Sequence, residues 1–470
     1  MVRVAREHPL EAVSLALVVL VAAAVRIAYV GDPPVRYDEV FTWQQYAIKG
    51  VRHIVTDYTY PNNHILNSLA EHFAWRLFGE SETIMRLPAL LFGIALVPAA
   101  YVVGRLLYDG PAALWAAALV GGSSVLMQYS VNGRGYSMGM VLVMVAIAAA
   151  AVTRRRPGWI AWAVLGVSSV LAVYTVPTMV GGVAIAFAWA AFRRDPPWKP
   201  LLVTGASSAV VALLLYLPAR GDQAWNPPTR WIVRGVGDKA SVLDLIWKQW
   251  NDALPWPVQV VLAISFFTAV IANRRLSRDS VPFPVVAIAV TAVIALVLPQ
   301  SPLARTYVYL LPIYLVTAGA GLSLLIRLPL ARLPRQVPGQ TIAVGVAVAA
   351  LLALSLSFAL RGNERYRLDP PRSEKFAATL VRPNRPMMST VTTADPLSYY
   401  LGGYATGRPA YGRTLLPGHP RKVTVAVATR YLETLPSVMH LLGIKAAPGT
   451  KPRLLRDGHW VDFYAVALRP

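Results

Sequence analysis

Eleven apolar runs, each about long enough to cross a membrane as a helix, dominate this 470-residue chain. A helix needs about 20 apolar residues to span the hydrocarbon core of a bilayer, since each residue adds only about 1.5 Å. Charged residues make up 14% of the chain, against about a quarter in soluble proteins. The runs lie at 10–30, 83–107, 111–129, 136–152, 159–175, 177–192, 200–218, 256–272, 281–299, 303–326 and 340–360. The sequence therefore predicts a mainly α-helical, polytopic membrane protein with about eleven transmembrane helices.

The basic residues indicate the orientation of the chain in the membrane. The formal net charge of +22 could suggest a nucleic-acid partner, but many basic residues lie in short loops between apolar runs. Alternate loops are basic, and the positive-inside rule assigns them to the cytoplasm. They contain Arg3, Arg6, Arg154, Arg155, Arg156, Arg193, Arg194, Lys199, Arg274, Arg275, Arg278, Arg327, Arg332 and Arg335. We predict a plasma-membrane protein without a nucleic-acid partner, in which 31–82, the loop at 132–135, 219–255 and the tail from about 361 are extracytoplasmic.

Two extracytoplasmic segments have structure of their own. The first loop is predicted to contain two short juxtamembrane helices on the outer membrane surface, at 41–49 and 64–78, with a turn at 60–63 between them. The tail, 362–470, predicts a small α/β domain beyond a transmembrane domain at 1–361. Its expected strands are 390–393, 423–427 and 460–466, and its expected helices are 373–381 and 431–442. The chain contains no cysteine, which excludes a disulfide framework and a thiolate metal site.

Adjacent carboxylates, Asp38 and Glu39, follow the first apolar run at the outer face. A solvated loop would explain such a pair, but arginines are predicted at the same membrane face. Arg134 and Arg305 each precede a tyrosine by two positions, Tyr136 and Tyr307, and Arg86 lies early in the second span. The planar guanidinium binds phosphate bidentately, so these residues are candidate ligands of a donor phosphate. The alternative for each arginine is an ordinary contact with lipid headgroup phosphate or an ion pair with an acidic residue of the same loop.

A carboxylate beside phosphate-binding arginines suggests group transfer from a lipid phosphate. The outer compartment holds no nucleotide sugars, so an activated sugar there must arrive on a lipid. Asp38 is the candidate general base, and Glu39 would position the acceptor or hold a divalent cation. Mg²⁺ or Mn²⁺ is a candidate cofactor, with Asp38, Glu39 and His64 as candidate ligands. His64 could complete a site with Asn63 and Asp38, but a lone histidine on a surface helix is more often a hydrogen-bonding partner.

Several motifs follow one another in a characteristic order: Tyr37–Glu39, Tyr60–Leu69, Phe78–Glu82, Arg86–Gly93 and Gly133–Tyr136, with a weaker match at Arg305–Tyr307. Together they resemble the GT-C superfamily of membrane glycosyltransferases. The branch is the family-39-like one of dolichyl-phosphate-mannose protein mannosyltransferases and lipid A aminoarabinose transferases. It implies inverting transfer from a polyprenyl-phosphate sugar to a glycan, lipid or protein acceptor. It also implies catalysis by Asp38 and juxtamembrane helices in the first outer loop.

One departure from the family concerns the substrate. Many relatives have a Pro-Pro-Leu-Tyr type of segment where this chain has Pro61-Asn62-Asn63-His64. The sugar and the acceptor therefore stay open, with Tyr37, Asn62, Asn63 and His64 as candidate substrate-binding residues.

Two other functions remain open at this point. A transporter or flippase of a lipid-linked glycan would favour charged residues near the midplane and matched halves with broken helices. The chain shows no internal repeat, and its spans are nearly free of acidic residues. An inactive glycan-binding relative is the third interpretation. The joint presence of Asp38, Glu39, Arg134 and Arg305 favours the enzyme.

Overall fold

The computed structural model describes most of the transmembrane region and parts of the tail. The described residues are 9–31, 33, 35–156, 158–193, 195–219, 236–251, 254–297, 303–330, 345, 353–354, 387–390, 399–400, 422–429, 433–457 and 461–468. They divide between two compact units. One unit is Met1–Val30 with Tyr46–Gly362, and the other is Gly31–Gln45 with Asn363–Pro470. Gly31–Gln45, called here the acidic segment because it carries Asp38 and Glu39, therefore belongs to the same unit as the tail. The rest of the first loop belongs to the other unit.

The described part of the first 330 residues is helical. Short 3-10 turns at Ala47–Lys49, Pro177–Met179 and Ala304–Tyr307 interrupt the α-helices. The α-helices, numbered in chain order, are α1 (Pro9–Tyr29), α2 (Tyr37–Gln45), α3 (Val51–Thr56), α4 (Ile65–Phe78), α5 (Glu82–Leu107), α6 (Gly110–Gly122), α7 (Ser124–Ser130), α8 (Tyr136–Arg155), α9 (Trp159–Thr175), α10 (Val180–Ala191), α11 (Trp198–Tyr216), α12 (Val236–Trp250), α13 (Trp256–Ile271), α14 (Asn273–Leu276), α15 (Phe283–Val297) and α16 (Leu310–Leu330).

Five of the described helices are long and apolar enough to cross a membrane, and α6 with α7 would make a sixth bent span. The five are α1, α5, α8, α11 and α16. Shorter apolar helices are α9, the segment Pro177–Ala191, α13 and α15. These helices confirm a multi-pass membrane protein. The count of eleven stays a prediction, and the expected span at 340–360 lies outside the described residues.

The third predicted span, 111–129, is broken in the structure. Helices α6 and α7 meet at an angle of 63°, with Ser123 in an extended conformation between them. The fully buried Arg26 of α1 caps the end of α6 by donating to the carbonyls of Gly121 at 2.9 Å and Val120 at 3.4 Å. Its Nε donates to Ser130 Oγ at 3.1 Å. The positive charge at the carboxyl end of α6 is favourable to the helix dipole and supports the bend.

Charged pairs tie helices together at the end of the bundle predicted to be cytoplasmic. Arg327 of α16 meets Asp109, the N-cap residue of α6, at 2.8 Å. Arg154 of α8 meets Asp279 at 2.7 Å. Basic residues assigned to the cytoplasm by sequence therefore also join neighbouring helices.

The first loop contains more helix than the sequence predicts. The helix expected at 41–49 starts four residues earlier, at Tyr37, and ends at Gln45 as α2. The 3-10 turn and α3 follow it, and α3 was not predicted. The helix expected at 64–78 is confirmed as α4. The early start of α2 arises because the two carboxylates favour a helix N-terminus, which places them in a helix instead of a loop.

Helix α4 buries polar side chains and exposes apolar ones. Asn67, Ser68 and Glu71 are fully buried, whereas Phe73 and Leu77 are 55% and 74% exposed. In a water-soluble helix the apolar face would point inward. The inverted pattern fits a helix whose outer face meets lipid while its polar face lines the protein interior.

The described tail forms a small sheet with one helix. Strand β1 (Met387–Met388) pairs in parallel with β2 (Lys422–Val427), and β4 (Asp462–Ala467) runs antiparallel between β2 and β3 (Arg453–Arg456). Helix α17 (Leu435–Leu441) packs Val438 against the buried valines of β2.

The α/β character of the tail is confirmed in the described part, with differences in detail. Strands β1 and β3 were not predicted, and the strand expected at 390–393 lies, except for Thr390, outside the described residues. The helix expected at 373–381 lies outside the described residues.

Candidate functional site

The Asp38–Glu39 pair forms the first turn of α2. The carbonyl of Arg36 accepts the N–H groups of Glu39 and Val40, both at 3.0 Å. Glu39 Oε2 in turn accepts the N–H of Arg36 at 2.8 Å, which satisfies one of the free donors at the helix start. Glu39 is fully buried and holds the start of the helix, whereas Asp38 is half-buried.

Contacts within the second unit fix this acidic segment further. The N–H of Val35 donates to the hydroxyl of Tyr400 at 2.8 Å. Thr42 Oγ1 donates to the carbonyl of Asp38 at 2.9 Å, and the ring of Tyr37 lies 5.8 Å from that of Phe41. Because Val35 and Tyr400 are 365 positions apart, the tail takes part in placing the segment that carries Asp38.

A second cluster, in the transmembrane unit, brings His64 and Arg134 together. The N–H of Gly135 donates to His64 Nδ1 at 2.9 Å, and Arg134 Nη2 lies 3.1 Å from His64 Nε2. His64 is 2% exposed and Arg134 is 3% exposed. A residue at the start of α4 is thus placed against the loop between α7 and α8, as the shared outer position of both predicts.

Asn63 closes the turn in front of α4. Its Nδ2 donates to the carbonyls of Ile54 at 2.8 Å and Asp57 at 2.7 Å, and its Oδ1 accepts the hydroxyl of Ser68 at 3.0 Å. The side chain is fully buried. Both the nitrogen and the oxygen of the Asn63 amide therefore make hydrogen bonds within the protein. The neighbouring Asn62 is half-buried, and its carbonyl accepts the N–H of His64 at 3.0 Å.

Gly135 permits the close approach of three elements. A Cβ at this position would lie 2.7 Å from Thr175 Cγ2 at the end of α9, 3.1 Å from His64 Cβ and 3.2 Å from Asn67 Cβ. Distances below about 3.0 Å essentially never occur for real Cβ atoms, so something would have to move. The contact between Gly135 and the imidazole depends on the missing side chain.

Replacing Gly135 by alanine is expected to lower the free energy of unfolding by about 1–3 kcal/mol, the usual range for overpacking a filled interior. It should also push His64 away from the loop. The measurement is thermal unfolding of the purified protein in detergent. The matched control is Gly205→Ala in α11, where the added Cβ would meet only Phe187 at an ordinary 3.6 Å. Equal melting temperatures for the two variants would contradict the packing described here.

Burial and positive charge keep His64 neutral. Desolvation holds the pKa of His64 well below its usual range, and the charges of Arg134 and Arg305 lower it further. Arg305 is therefore close enough to act on the imidazole. Burial also raises the pKa of Tyr58 to about 12, an effect that the charge of Arg134 partly offsets. The cluster carries arginine charge beside a neutral histidine at physiological pH.

Tyrosines surround this cluster. The ring of Tyr136 packs edge-on against His64 with 4.9 Å between centroids, and Arg134 Cζ lies 6.0 Å from the same ring. Tyr129 packs against Tyr136 at 5.0 Å and accepts a hydrogen bond from Gln249 of α12 at 2.9 Å. Helix α12 was not predicted within 219–255, and it connects that segment to the cluster.

The remaining predicted phosphate ligands are placed differently. Arg305 and Tyr307 lie on the 3-10 turn before α16, where Tyr307 is buried against Val242 and Ile246 of α12. Arg86 is fully buried, and its Nη1 donates to the carbonyl of Val30 at 2.8 Å, just past the end of α1. The structure thus brings Arg134 and Tyr136 into contact with His64, and the charge of Arg305 lowers the pKa of the imidazole. Arg86 instead binds the carbonyl just past the end of α1.

Sequence reasoning missed a buried polar pair below the cluster. Asn67 Nδ2 donates to Glu71 Oε1 at 2.6 Å, and both side chains are fully buried. The signal was available, because Asn63, Asn67 and Glu71 recur every four residues and therefore share one face of a helix. Arg26, alone within an apolar run, was the second missed signal.

The described residues do not fit a metal centre. No group of three or more histidine, aspartate or glutamate side chains that could hold a metal ion occurs in the described part of the chain. The lone pair of His64 Nδ1 already accepts the N–H of Gly135. Mg²⁺ or Mn²⁺ at Asp38, Glu39 and His64 therefore remains only the prediction made from sequence.

Comparison with solved structures identifies the architecture. The aminoarabinose transferase ArnT from Cupriavidus metallidurans, in the apo state, matches with a TM-score of 0.62 at 14% sequence identity. The match covers 96% of this chain and 97% of ArnT. The chain has the fold of ArnT, which is a GT-C glycosyltransferase. The resemblance predicted from the sequence motifs is confirmed at the level of this fold.

Two further structures with the GT-C fold resemble the chain. ArnT bound to undecaprenyl phosphate gives a TM-score of 0.61 at 14% identity, covering 96% of this chain and 97% of ArnT. The oligosaccharyltransferase of Archaeoglobus fulgidus in complex with Zn and sulfate gives 0.47 at 16% identity, covering 85% of this chain and 59% of that enzyme. No protein-family model matches the chain, and no curated protein matches it in sequence.

Proposed function

We propose that this protein is a membrane glycosyltransferase that moves a sugar from a polyprenyl-phosphate donor to an extracytoplasmic acceptor with inversion. The observation that carries the proposal is the ArnT fold along 96% of the chain, since one ArnT structure holds undecaprenyl phosphate. The acceptor is an envelope glycan, a lipid or a protein. The sequence motifs at Asp38, His64 and Arg134 support the same function.

The His64 cluster is the proposed site of the donor phosphate. Arg134 is buried, and Arg305 lies near enough to lower the pKa of His64. Guanidinium groups bind phosphate oxygens through charge-assisted hydrogen bonds, and a buried site strengthens such bonds. Tyr136 orders the imidazole in this proposal, Tyr307 supports the Arg305 turn, and Arg86 holds the end of α1.

Asp38 is the proposed general base. The acceptor hydroxyl attacks the anomeric carbon from the face opposite the phosphate, and its proton passes to the carboxylate of Asp38. The bond between that carbon and the phosphate oxygen breaks, and the electron pair leaves with the polyprenyl phosphate. Arg134 and Arg305 stabilise the charge that develops there. Glu39 fixes the first turn of α2 through Arg36, and Tyr37 and Asn62 are proposed contacts of the substrate.

Transfer by the purified protein tests the proposal. Radiolabelled polyprenyl-phosphate sugars, presented one at a time with a membrane extract as acceptor, are expected to yield labelled product with at least one donor. The matched control is the same sugar linked to a nucleotide, which the proposal expects to be inert. Label transferred from the nucleotide sugar alone would contradict the lipid-linked donor. Movement of intact donor across a vesicle membrane, without transfer, would favour the flippase.

Sidedness gives a separate prediction. The chain has no cysteine, so single cysteines can be placed without background. With the tail outside, a cysteine at the exposed Lys451 is expected to react with a membrane-impermeant thiol reagent in intact cells. A cysteine at the exposed Arg156 should react only after lysis. The reverse pattern would overturn the extracytoplasmic placement of the tail.

A further inference from the structure

The imidazole of His64 receives two N–H groups but has one lone pair to offer. Gly135 N–H meets Nδ1 at 2.9 Å, and Arg134 Nη2 lies 3.1 Å from Nε2. A neutral imidazole has one donor nitrogen and one acceptor nitrogen, and a guanidinium has donors only. One of the two contacts therefore places two N–H groups face to face.

The backbone decides which contact this is. The Gly135 N–H cannot rotate away, because the glycine is packed between Thr175, His64 and Asn67. The guanidinium carries five N–H groups at the end of a long side chain, so its contact with Nε2 is not a fixed backbone constraint. Nδ1 is therefore the acceptor, and the proton of the neutral ring lies on Nε2, pointing toward Arg134. Desolvation and two arginine charges keep the ring neutral.

Two convergent donors 3.1 Å apart are unfavourable alone and favourable around one anionic oxygen. We propose that His64 Nε2–H and Arg134 Nη2 together donate to a single phosphate oxygen, which, given the proposed function, belongs to the polyprenyl-phosphate donor. Arg305 adds the second positive charge near this oxygen. Tyr136, edge-on to the ring at 4.9 Å, holds the imidazole plane. His64 is then a ligand-binding donor and neither a base nor a metal ligand, since neither role is open to a protonated Nε2.

Two substitutions distinguish the roles of the two ring nitrogens of His64, acceptor at Nδ1 and donor at Nε2. The amide oxygen of His64→Asn can still accept the Gly135 N–H, but no donor remains at the position of Nε2. The amide nitrogen of His64→Gln reaches the position of Nε2 and keeps the donor. The probe is undecaprenyl phosphate, bound to the full-length protein in nanodiscs, with neutral undecaprenol as the control lipid.

The expected loss of undecaprenyl phosphate affinity in His64→Asn is about 10- to 100-fold, the effect of one hydrogen bond to a charged group. His64→Gln should bind at least several-fold more tightly than His64→Asn, and undecaprenol binding should not distinguish the variants. Wild-type affinity in His64→Asn, or equal losses in both variants, would overturn the proposal.

Inorganic phosphate distinguishes the source of the oxygen. If inorganic phosphate displaces undecaprenyl phosphate from the wild-type protein, and does so less well from His64→Asn, the site also binds free phosphate. If inorganic phosphate does not displace the lipid, the site is restricted to the lipid phosphate. If His64→Asn fails to fold, histidine ¹⁵N NMR of the wild-type protein replaces it. Protonated Nε2 with bare Nδ1 is expected at neutral pH, and the opposite tautomer would overturn the assignment.

Failure of this proposal can be told from failure of the proposed function. Phosphate binding with the expected order of variants, but no sugar transfer from any donor, would refute the transferase and leave the His64 site standing. Sugar transfer that depends on Asp38, with unchanged donor affinity in His64→Asn, would refute the His64 site alone.

Discussion

Replacing Asp38 by asparagine is expected to lower the rate of sugar transfer by about 10²–10⁴-fold, the usual contribution of a general base. The side chain is half-buried in the first turn of α2, and asparagine is nearly the same size but cannot accept the acceptor's proton. Donor binding should change little, because the proposed phosphate ligands are other residues. Initial rates and donor affinity, measured on the same preparation, check both parts.

Glu39→Gln is the control for the neighbouring carboxylate. Glutamine keeps a side-chain oxygen that can accept the N–H of Arg36, so the start of α2 should survive. The rate is expected to fall much less than in Asp38→Asn. Transfer close to wild type in Asp38→Asn would remove it as the base, and a larger loss in Glu39→Gln would move that role to Glu39.

Replacing Arg134 by alanine is expected to weaken donor binding by about 10- to 100-fold. The guanidinium is 3% exposed and lies 3.1 Å from His64, where it is proposed to share a phosphate oxygen. Arg134→Lys should recover only part of the affinity, since an ammonium cannot bind phosphate with two parallel N–H groups. Equilibrium binding of undecaprenyl phosphate is the measurement.

Arg76→Ala is the matched control for lost positive charge. Arg76 lies on α4, the helix that begins just after His64, but it is exposed and its Cζ lies 5.9 Å from the centroid of the Trp75 ring. Its loss should leave undecaprenyl phosphate affinity unchanged. Equal losses in Arg76→Ala and Arg134→Ala would indicate general attraction to an anionic lipid and would contradict a dedicated phosphate site.

The sequence predicted those parts of the fold that depend on local patterns. Long apolar runs located α1, α5, α8 and α11, because a helix that crosses lipid must be apolar for about 20 residues. The repeat of Ile65, Leu69 and Phe73 located α4. The β-branched run at 423–427 located β2, since such side chains suit a sheet.

Features that depend on long-range contacts could not be predicted in the same way. The bend at Ser123 relies on Arg26 from a different helix. Asp38 lies in a helix because carboxylates are favourable at a helix N-terminus, a property that is independent of any catalytic role. Nothing local indicates that Val35 bonds to Tyr400, so the grouping of the acidic segment with the tail was missed.

In the candidate site, the residues could be chosen from the sequence, whereas their hydrogen bonds could not. Chemistry and membrane side were enough to select His64, Arg134 and Arg305 as candidates. The structure puts Arg134 Nη2 3.1 Å from His64 Nε2, and the charge of Arg305 lowers the pKa of His64. The direction of the hydrogen bonds at His64 could not be read from sequence, because it is set by the packing of Gly135. That direction changes His64 from a candidate metal ligand to a proposed phosphate donor.

The most direct test of the central claim is the amount of polyprenyl phosphate released for each sugar transferred by the purified protein. A polyprenyl-phosphate-dependent glycosyltransferase predicts one free polyprenyl phosphate for every sugar on the acceptor, with both products greatly reduced in Asp38→Asn. Sugar transfer without release of polyprenyl phosphate, or release that does not depend on Asp38, would contradict the account.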